Sequence, residues 1–225
     1  MGIPILSSRP YNMEKKVTLF NDGKIILDLC GGTGSWSKPY ADNGYDVIII
    51  DPQEWLEDDY GTGDVRLFKK PKEQIYGILS APPCTHFSGS GARHWKKKGK
   101  EPLLDGLSVV DACLRIVLIL NPNFWVLEKP VGRLKHYIGD AKCTFQPYKY
   151  GDAYSKRTCL WGNFNIPTPT NIVEPDMVEF TSNKGVKKRM SRIFYDSFSL
   201  PKNERARLRS MTSPGFAKAF YEANR

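Results

Sequence analysis

Cys84 directly follows two prolines, in Leu79-Ser80-Ala81-Pro82-Pro83-Cys84-Thr85-His86-Phe87-Ser88. It lies just beyond the apolar run 75–79, which reads as a buried strand. Gly89-Ser90-Gly91 and the lysines Lys96, Lys97 and Lys98 come after it. A lone cysteine is more often a small buried hydrophobe than a nucleophile. Here polar and glycine residues follow it, and the C-terminal ends of strands are where open α/β sheets bind ligands. A thiol on a stiff turn beside a basic loop suits a nucleophile that meets an anionic polymer. His86 and His94 could take its proton, as in a Cys-His hydrolase, but neither has a recognisable third partner.

Two further groups belong beside this thiol. Glu128 closes a second apolar run, 124–127, and is also followed by a proline. Desolvation at the end of a buried strand favours the protonated acid, the form that donates a proton; the alternative is a salt bridge with Lys129 or Arg133. Asp28-Leu29-Cys30-Gly31-Gly32-Thr33-Gly34 is a glycine turn after a strand, where a ligand can approach the backbone closely ahead of a helix. Asp51, at the end of the next apolar run, is placed to hold ribose hydroxyls. The spacing is not G-x-G-x-x-G, which disfavours a nicotinamide dinucleotide, and a purely structural turn is the competing reading.

The elements that would carry these groups are short. Strands are expected over 25–29, 46–51, 75–79 and 124–127, with a helix over 35–43 stopped by Gly44 and another over 103–120 ended by Asn121-Pro122. Strand, glycine turn, helix and strand in under 30 residues make a βαβ unit with a parallel sheet. Residues 143–150 and 158–161 read as adjacent strands, and 166–175, with three prolines, as an extended connection. Ser213-Pro214 opens a last helix, Ser as N-cap and Pro in the first turn. The expected class is α/β, doubly wound and mostly parallel, with an irregular basic insertion near the C-terminus.

The 225 residues suit one domain with a small appendage. No apolar run approaches the ~20 residues that span a bilayer, and the start, Met1 to Lys16, is mixed and polar, so a cytoplasmic protein is expected. Five scattered cysteines (30, 84, 113, 143, 159) without a C-x-x-C pair argue against a disulfide framework or a zinc site. The net charge is +9, and residues 184–209 concentrate it: nine positives, including Lys184, Lys187, Lys188, Arg189 and Arg192, against two negatives. Focused basic charge is the footprint of nucleic-acid binding, with a solvated basic face as the plain alternative.

Taken in order, these motifs resemble the DNA cytosine-5 methyltransferases. The 28–34 loop looks like that family's D-L-F-x-G-x-G cofactor loop, Gly63-Asp64 like its G-D segment, Pro83-Cys84 like its P-C nucleophile and Glu128 like the glutamate of its E-N-V motif. Ser155-Lys156-Arg157-Thr158 falls, on a strand, where the family has Q-x-R-x-R. The likeness covers most of residues 24–165 and the C-terminal helix. It looks strongest to short, phage-type members, which carry P-P-C-T and a Pro-Gly-Phe-Ala ending like 214–217.

The resemblance implies a Rossmann-like fold that binds S-adenosyl-L-methionine, without a metal, through Asp28, Cys30, Gly31, Gly32, Gly34, Asp51, Asp64, Pro83 and Lys129. Cys84, Glu128, Lys156 and Arg157 would be the catalytic groups, acting on a cytosine flipped out of DNA. Lys96, Lys97, Lys98, Lys187, Lys188, Arg189 and Arg192 would contact nucleic acid. The division that follows is 1–165 catalytic, 166–210 a small basic recognition segment and 211–225 a returning helix, in a monomer that works in the bacterial host's cytoplasm if it is phage-encoded. An RNA cytosine-5 methyltransferase and a catalytically silent nucleic-acid-binding relative are the alternatives.

The departures carry information. Thr85 stands where the family has glutamine, and Lys156 and Thr158 where it has arginines. About 50 residues separate Trp161 from Met211, so a full recognition domain is missing and short or relaxed specificity is expected. Lys129 stands where the family has asparagine after the glutamate. A lysine there would attract a carboxylate, which raises carboxy-S-adenosyl-L-methionine as an alternative donor and a carboxymethylated cytosine as the product; a lysine directed to phosphate or a surface acid is the plainer reading.

Overall fold

The computed structural model describes residues 21, 23–52, 63–182 and 185–225. The polar start, Met1 to Lys16, and Lys184 of the basic segment lie outside the described residues.

The chain runs β1 (Ile25–Leu29), α1 (Lys38–Asp42), β2 (Asp46–Ile50), β3 (Ile75–Ser80), α2 (Trp95–Lys98), α3 (Glu101–Leu120) and β4 (Phe124–Pro130). It continues with α4 (Lys135–Ile138), β5 (Cys143–Phe145), β6 (Thr158–Asn163), β7 (Met177–Thr181), β8 (Lys187–Ser191), α5 (Arg192–Asp196), α6 (Lys202–Ser210) and α7 (Pro214–Ala223). Six strands form one sheet in the order β2-β1-β3-β4-β6-β5. The first four are mutually parallel, whereas β6 runs antiparallel to both β4 and β5.

Strand alternation divides the core in two. Leu27, Leu29, Ile78 and Leu127 face α3, where they meet Val110, Cys113 and Ile116. Ile26, Leu79, Val126 and Leu160 face the other way, against Tyr40 of α1 and Phe216, Ala219 and Phe220 of α7. Both faces are covered, which is why the strands read as continuous apolar runs. Each buried Phe here is worth about 1.5–3 kcal/mol. The architecture is the doubly wound, mostly parallel, Rossmann-like α/β sandwich expected from the sequence.

Local expectations needed correction. The first helix is only Lys38–Asp42, because residues 35–37 form turns and Pro39 suits a first helical turn. The fourth strand extends through Glu128 and Lys129 to Pro130, since pairing with β6 continues that far. Residues 155–157 precede β6 instead of lying on it. The stretch 143–150 is a three-residue strand followed by a 3-10 turn, Pro147–Lys149. Ser213 holds the N-cap position of α7 without a side-chain cap hydrogen bond. The basic insertion is not irregular: β7 and β8 form an antiparallel hairpin, followed by α5 and α6. No helix among the described residues is long and apolar enough to cross a membrane.

Candidate active site

The chain leaves β1 in two directions: β2 lies on one side of it and β3 on the other. That reversal is the topological switch point, where the C-terminal strand ends open a crevice. Leu29 is level with Ser80, and Ser80 with Leu127. The residues just past this row are Cys30, Pro83-Cys84 and Glu128, so three motifs distant in sequence share one sheet edge. Because β6 is antiparallel, its start reaches the same edge, where Pro130 pairs with Thr158.

The glycine turn is built around Asp28. Its carboxylate is fully buried and accepts a 2.6 Å hydrogen bond from Ser37 Oγ, while Oδ1 has no partner. Burial, more than the nearby Asp51, pushes its pKa up to about 6, against the opposing effect of the Ser37 bond. A Cβ at residue 31 would run into this carboxylate, so only glycine fits there. Gly32 (φ 54°) and Gly34 (φ 66°) take left-handed conformations, and so does Cys30 (φ 58°), which is uncommon for a residue with a side chain. Gly32 N–H donates to Asp51 Oδ2 at 3.1 Å, joining the turn to the end of β2. An orphaned buried carboxylate oxygen beside an open glycine cradle suits the cationic amino-acid end of a sulfonium donor such as S-adenosylmethionine. The residues present therefore fit that group.

Asp64 is placed differently from Asp51. It caps the 3-10 turn Val65–Leu67 and pairs with Arg66 at 2.6 Å, which holds its carboxyl below the usual carboxylate range. Arg66 also bridges to Asp105 of α3. The Cys30 thiol packs on Cys113 of α3, and this contact first, then burial, pushes its pKa up.

Cys84 is exposed, four residues beyond β3. The N–H groups of Phe87 and Ser88 both donate to its carbonyl at 3.0 Å, closing a tight turn. The turn is stitched to the segment after β4: Gly89 N–H donates to the Val131 carbonyl and Arg133 N–H to the Phe87 carbonyl, both at 2.9 Å. Gly132 sits in this seam, where a Cβ would strike the Phe87 carbonyl. Arg133 Nε donates to the His86 carbonyl at 2.7 Å, and its guanidinium lies 4.5 Å from the Trp95 ring centroid. Lys98 Nζ reaches the Thr85 carbonyl at 3.4 Å. The segment that leads to Lys96, Lys97 and Lys98 is thus a 3-10 turn (Gly89–His94) and α2, with all three lysines exposed.

Glu128 (6 % exposed) and Lys129 (1 % exposed) are adjacent on β4 and point to opposite faces. No side-chain hydrogen bond or ion pair among the described residues joins Glu128 to Lys129 or to Arg133. Burial pushes the Lys129 ammonium below the ordinary lysine value, against the raising influence of Cys84, Glu128, Cys30 and Cys113.

Lys156 and Arg157 diverge. Lys156 Nζ donates to the Met211 carbonyl at 3.0 Å, which ties it to the segment before α7, whereas Arg157 is exposed. The hairpin docks beside them: Ser155 N–H donates to Ser191 Oγ, and Asp176 N–H to the Ala153 carbonyl. Lys187, Lys188 and Arg189 are exposed along β8, while Arg192 pairs with Asp176 at 2.8 Å. Reading the sequence missed Ser37, Gly132 and the latching role of Arg133. The only local signal for the last two was a glycine-arginine pair just after the Glu128 strand.

No family model matches the chain. Among curated proteins it is similar to the type II methyltransferase M.DdeI of Desulfomicrobium norvegicum, with 28% identity over 124 residues, covering 48% of this chain. The match takes in 28% of that relative, so the chain spans little more than a quarter of its length. Among solved structures it is similar to a prophage-encoded E. coli protein described as a DNA modification methyltransferase, with 18% identity and a TM-score of 0.45, over 67% of this chain and 52% of that one.

Proposed function

We propose that this chain is a DNA cytosine-5 methyltransferase that uses S-adenosylmethionine and attacks its base through Cys84. The observation that carries the reading is the juxtaposition at one switch point of an exposed thiol, a buried carboxyl without a partner among the described residues, and a glycine turn around an unsatisfied Asp28. The 124-residue similarity to a type II methyltransferase supports it.

Carbon 5 of cytosine is too weak a nucleophile to take an alkyl group directly. The thiolate of Cys84 adds to carbon 6, and the ring electron pair it displaces makes carbon 5 enamine-like. Glu128 supplies or holds the proton at N3 that offsets the charge developing in the ring. When bound, the donor supplies an electrophilic methyl carbon on a sulfonium. A base then takes the proton from carbon 5, and the returning electron pair expels Cys84 as a thiolate. The target base must leave the duplex to reach this crevice. Lys96, Lys97 and Lys98 on the nucleophile segment, and Lys187, Lys188 and Arg189 on the hairpin, bind phosphates, with short or relaxed sequence specificity. Arg157 is the exposed cation nearest β6 for the base itself, and Lys156 braces the segment that enters α7. Residues 166–210 act as a small recognition segment on a catalytic body formed by 1–165 and 211–225, in a monomer.

Duplex DNA carrying 5-fluorocytosine, supplied with the sulfonium donor, tests the reading, because after transfer carbon 5 bears a fluorine that cannot leave as a proton does. A covalent adduct with the wild-type chain, absent from Cys84→Ala and about 10²–10⁴-fold slower in Glu128→Gln, is expected. Preference for a fluorocytosine RNA would move the substrate to RNA. No adduct on either polymer would leave a nucleic-acid-binding protein without this chemistry.

A further inference from the structure

Lys129 is among the largest fully buried side chains of the protein, at 1 % exposure. It has no ion pair and no side-chain hydrogen bond among the described residues. An ammonium removed from water without a counter-charge is among the costlier arrangements a fold can hold. Its neighbour Glu128 cannot pair with it directly, since consecutive strand residues face opposite ways. The groups that act on it come from the ends of three strands and from α3: Cys84, Glu128, Cys30 and Cys113. The Phe87 ring, 6.0 Å from Nζ, closes another side. No carboxylate among the described residues forms an ion pair with it, which leaves room for an anion brought by a ligand.

We propose that Lys129 makes the donor subsite one for a sulfonium whose transferred carbon carries a carboxylate, so that the group placed on cytosine carbon 5 is carboxymethyl. This rests on the cytosine-5 reading above. Three considerations point to the transferred carbon. The glycine turn that follows β1, with Gly32 tied to Asp51, is where the amino-acid end of the donor would lie. Lys129 lies two strands away on β4, about 10 Å across the sheet, and two residues beyond the row that joins Leu29, Ser80 and Leu127, about 7 Å further along, past the strand end that leads to Cys84. An ordinary sulfonium brings a second positive charge towards a buried ammonium, whereas a carboxylated one brings the charge that neutralises it.

The chemistry balances. Cys84 sulfur bonds to carbon 6, and carbon 5 forms its bond to the carboxylated methylene carbon. The carbon–sulfur bond of the donor breaks with its electron pair remaining on sulfur, which leaves as a neutral thioether. Water takes the carbon-5 proton and Cys84 departs as a thiolate. The carboxylate stays on Lys129 throughout and is unchanged.

Calorimetric titration of the chain with ordinary and with carboxylated S-adenosylmethionine is the primary test, joined to mass spectrometry of the nucleosides from treated DNA. The wild type is expected to bind the carboxylated donor at least about tenfold more tightly and to yield 5-carboxymethylcytosine. Lys129→Met keeps the volume and removes the charge. It should lose at least tenfold for the carboxylated donor and bind the ordinary one more tightly, so that the preference reverses, while Lys129→Arg keeps the preference. Thermal denaturation of Lys129→Met checks that it folds. Equal or tighter binding of the ordinary donor, with 5-methylcytosine as product, overturns the proposal. So does a Lys129→Met variant that weakens both donors alike and shifts the pH profile of adduct formation, because the lysine would then serve the Cys84 thiolate. The fluorocytosine adduct reports the underlying cytosine chemistry separately. Its absence together with a retained donor preference would sink the cytosine reading and leave the donor subsite standing.

Discussion

Arg133 Nε donates to the backbone carbonyl of His86 at 2.7 Å, two residues past Cys84, although the two residues are 47 apart in the chain. The same guanidinium covers the Trp95 ring at the start of the lysine helix α2. One side chain after the Glu128 strand therefore ties the turn just past the nucleophile to the start of the lysine helix.

Removing that latch should cost catalysis more than folding. A charged hydrogen bond is worth about 1.5–3 kcal/mol, and a cation–π contact about 0.5–1 kcal/mol when partly exposed. Arg133→Ala is expected to slow fluorocytosine adduct formation roughly ten- to a hundredfold. Arg133→Lys, which keeps the charge and loses the planar fork, should recover only part of it. Single-turnover adduct rates set against melting temperatures measure the split.

Gly132→Ala addresses the same seam through the backbone. The added methyl would meet the Phe87 carbonyl, so the Gly89–Val131 and Arg133–Phe87 bonds must open. A destabilisation of about 2–4 kcal/mol is expected from overpacking and lost hydrogen bonds, read from denaturant midpoints. A neutral substitution would show that the seam is loose.

Asp28 carries a stability cost with a definite pH dependence. Its folded pKa, about 6, lies above the ordinary carboxylate value of 3.8. The folded state therefore holds the proton more tightly, and the stability this provides is complete below about pH 4 and lost as pH rises through 6. Asp28→Asn still accepts from Ser37 and cannot ionise. It should be more stable than the wild type at pH 7, by on the order of 3 kcal/mol at 1.36 kcal/mol per pKa unit, with the advantage gone at pH 4. Donor binding should weaken in the same variant. Urea unfolding at the two pH values, with calorimetry at pH 7, separates the two effects.

The β8 cations should act through phosphate alone. Lys187, Lys188 and Arg189 are exposed on β8, and none takes part in an ion pair among the described residues. Replacing all three by alanine should lower the slope of log affinity against log salt by up to about 0.9 per residue. Stability should stay within about 0.5 kcal/mol. An unchanged slope would place the nucleic acid elsewhere.

The sequence by itself determined the parts of this protein that are local. Short, mostly apolar stretches of four or five residues, rich in β-branched and aromatic types, read as strands of a covered sheet, and β1 fell on the expected residues. Residue type alone marked Cys84, Glu128 and Asp28 as the groups worth watching, because their positions follow from strand ends. The tertiary structure decided what depends on contact between distant segments. It carried β4 on through Lys129 by pairing it with an antiparallel β6, and it engaged Lys156 on Met211, 55 residues away. It also set Arg133 on His86 and left Glu128 and Lys129 buried without pairing them. No period or spacing encodes such relationships. They arise when packing brings separate segments to one sheet edge, and there the burial of Lys129 without an ion pair among the described residues becomes visible.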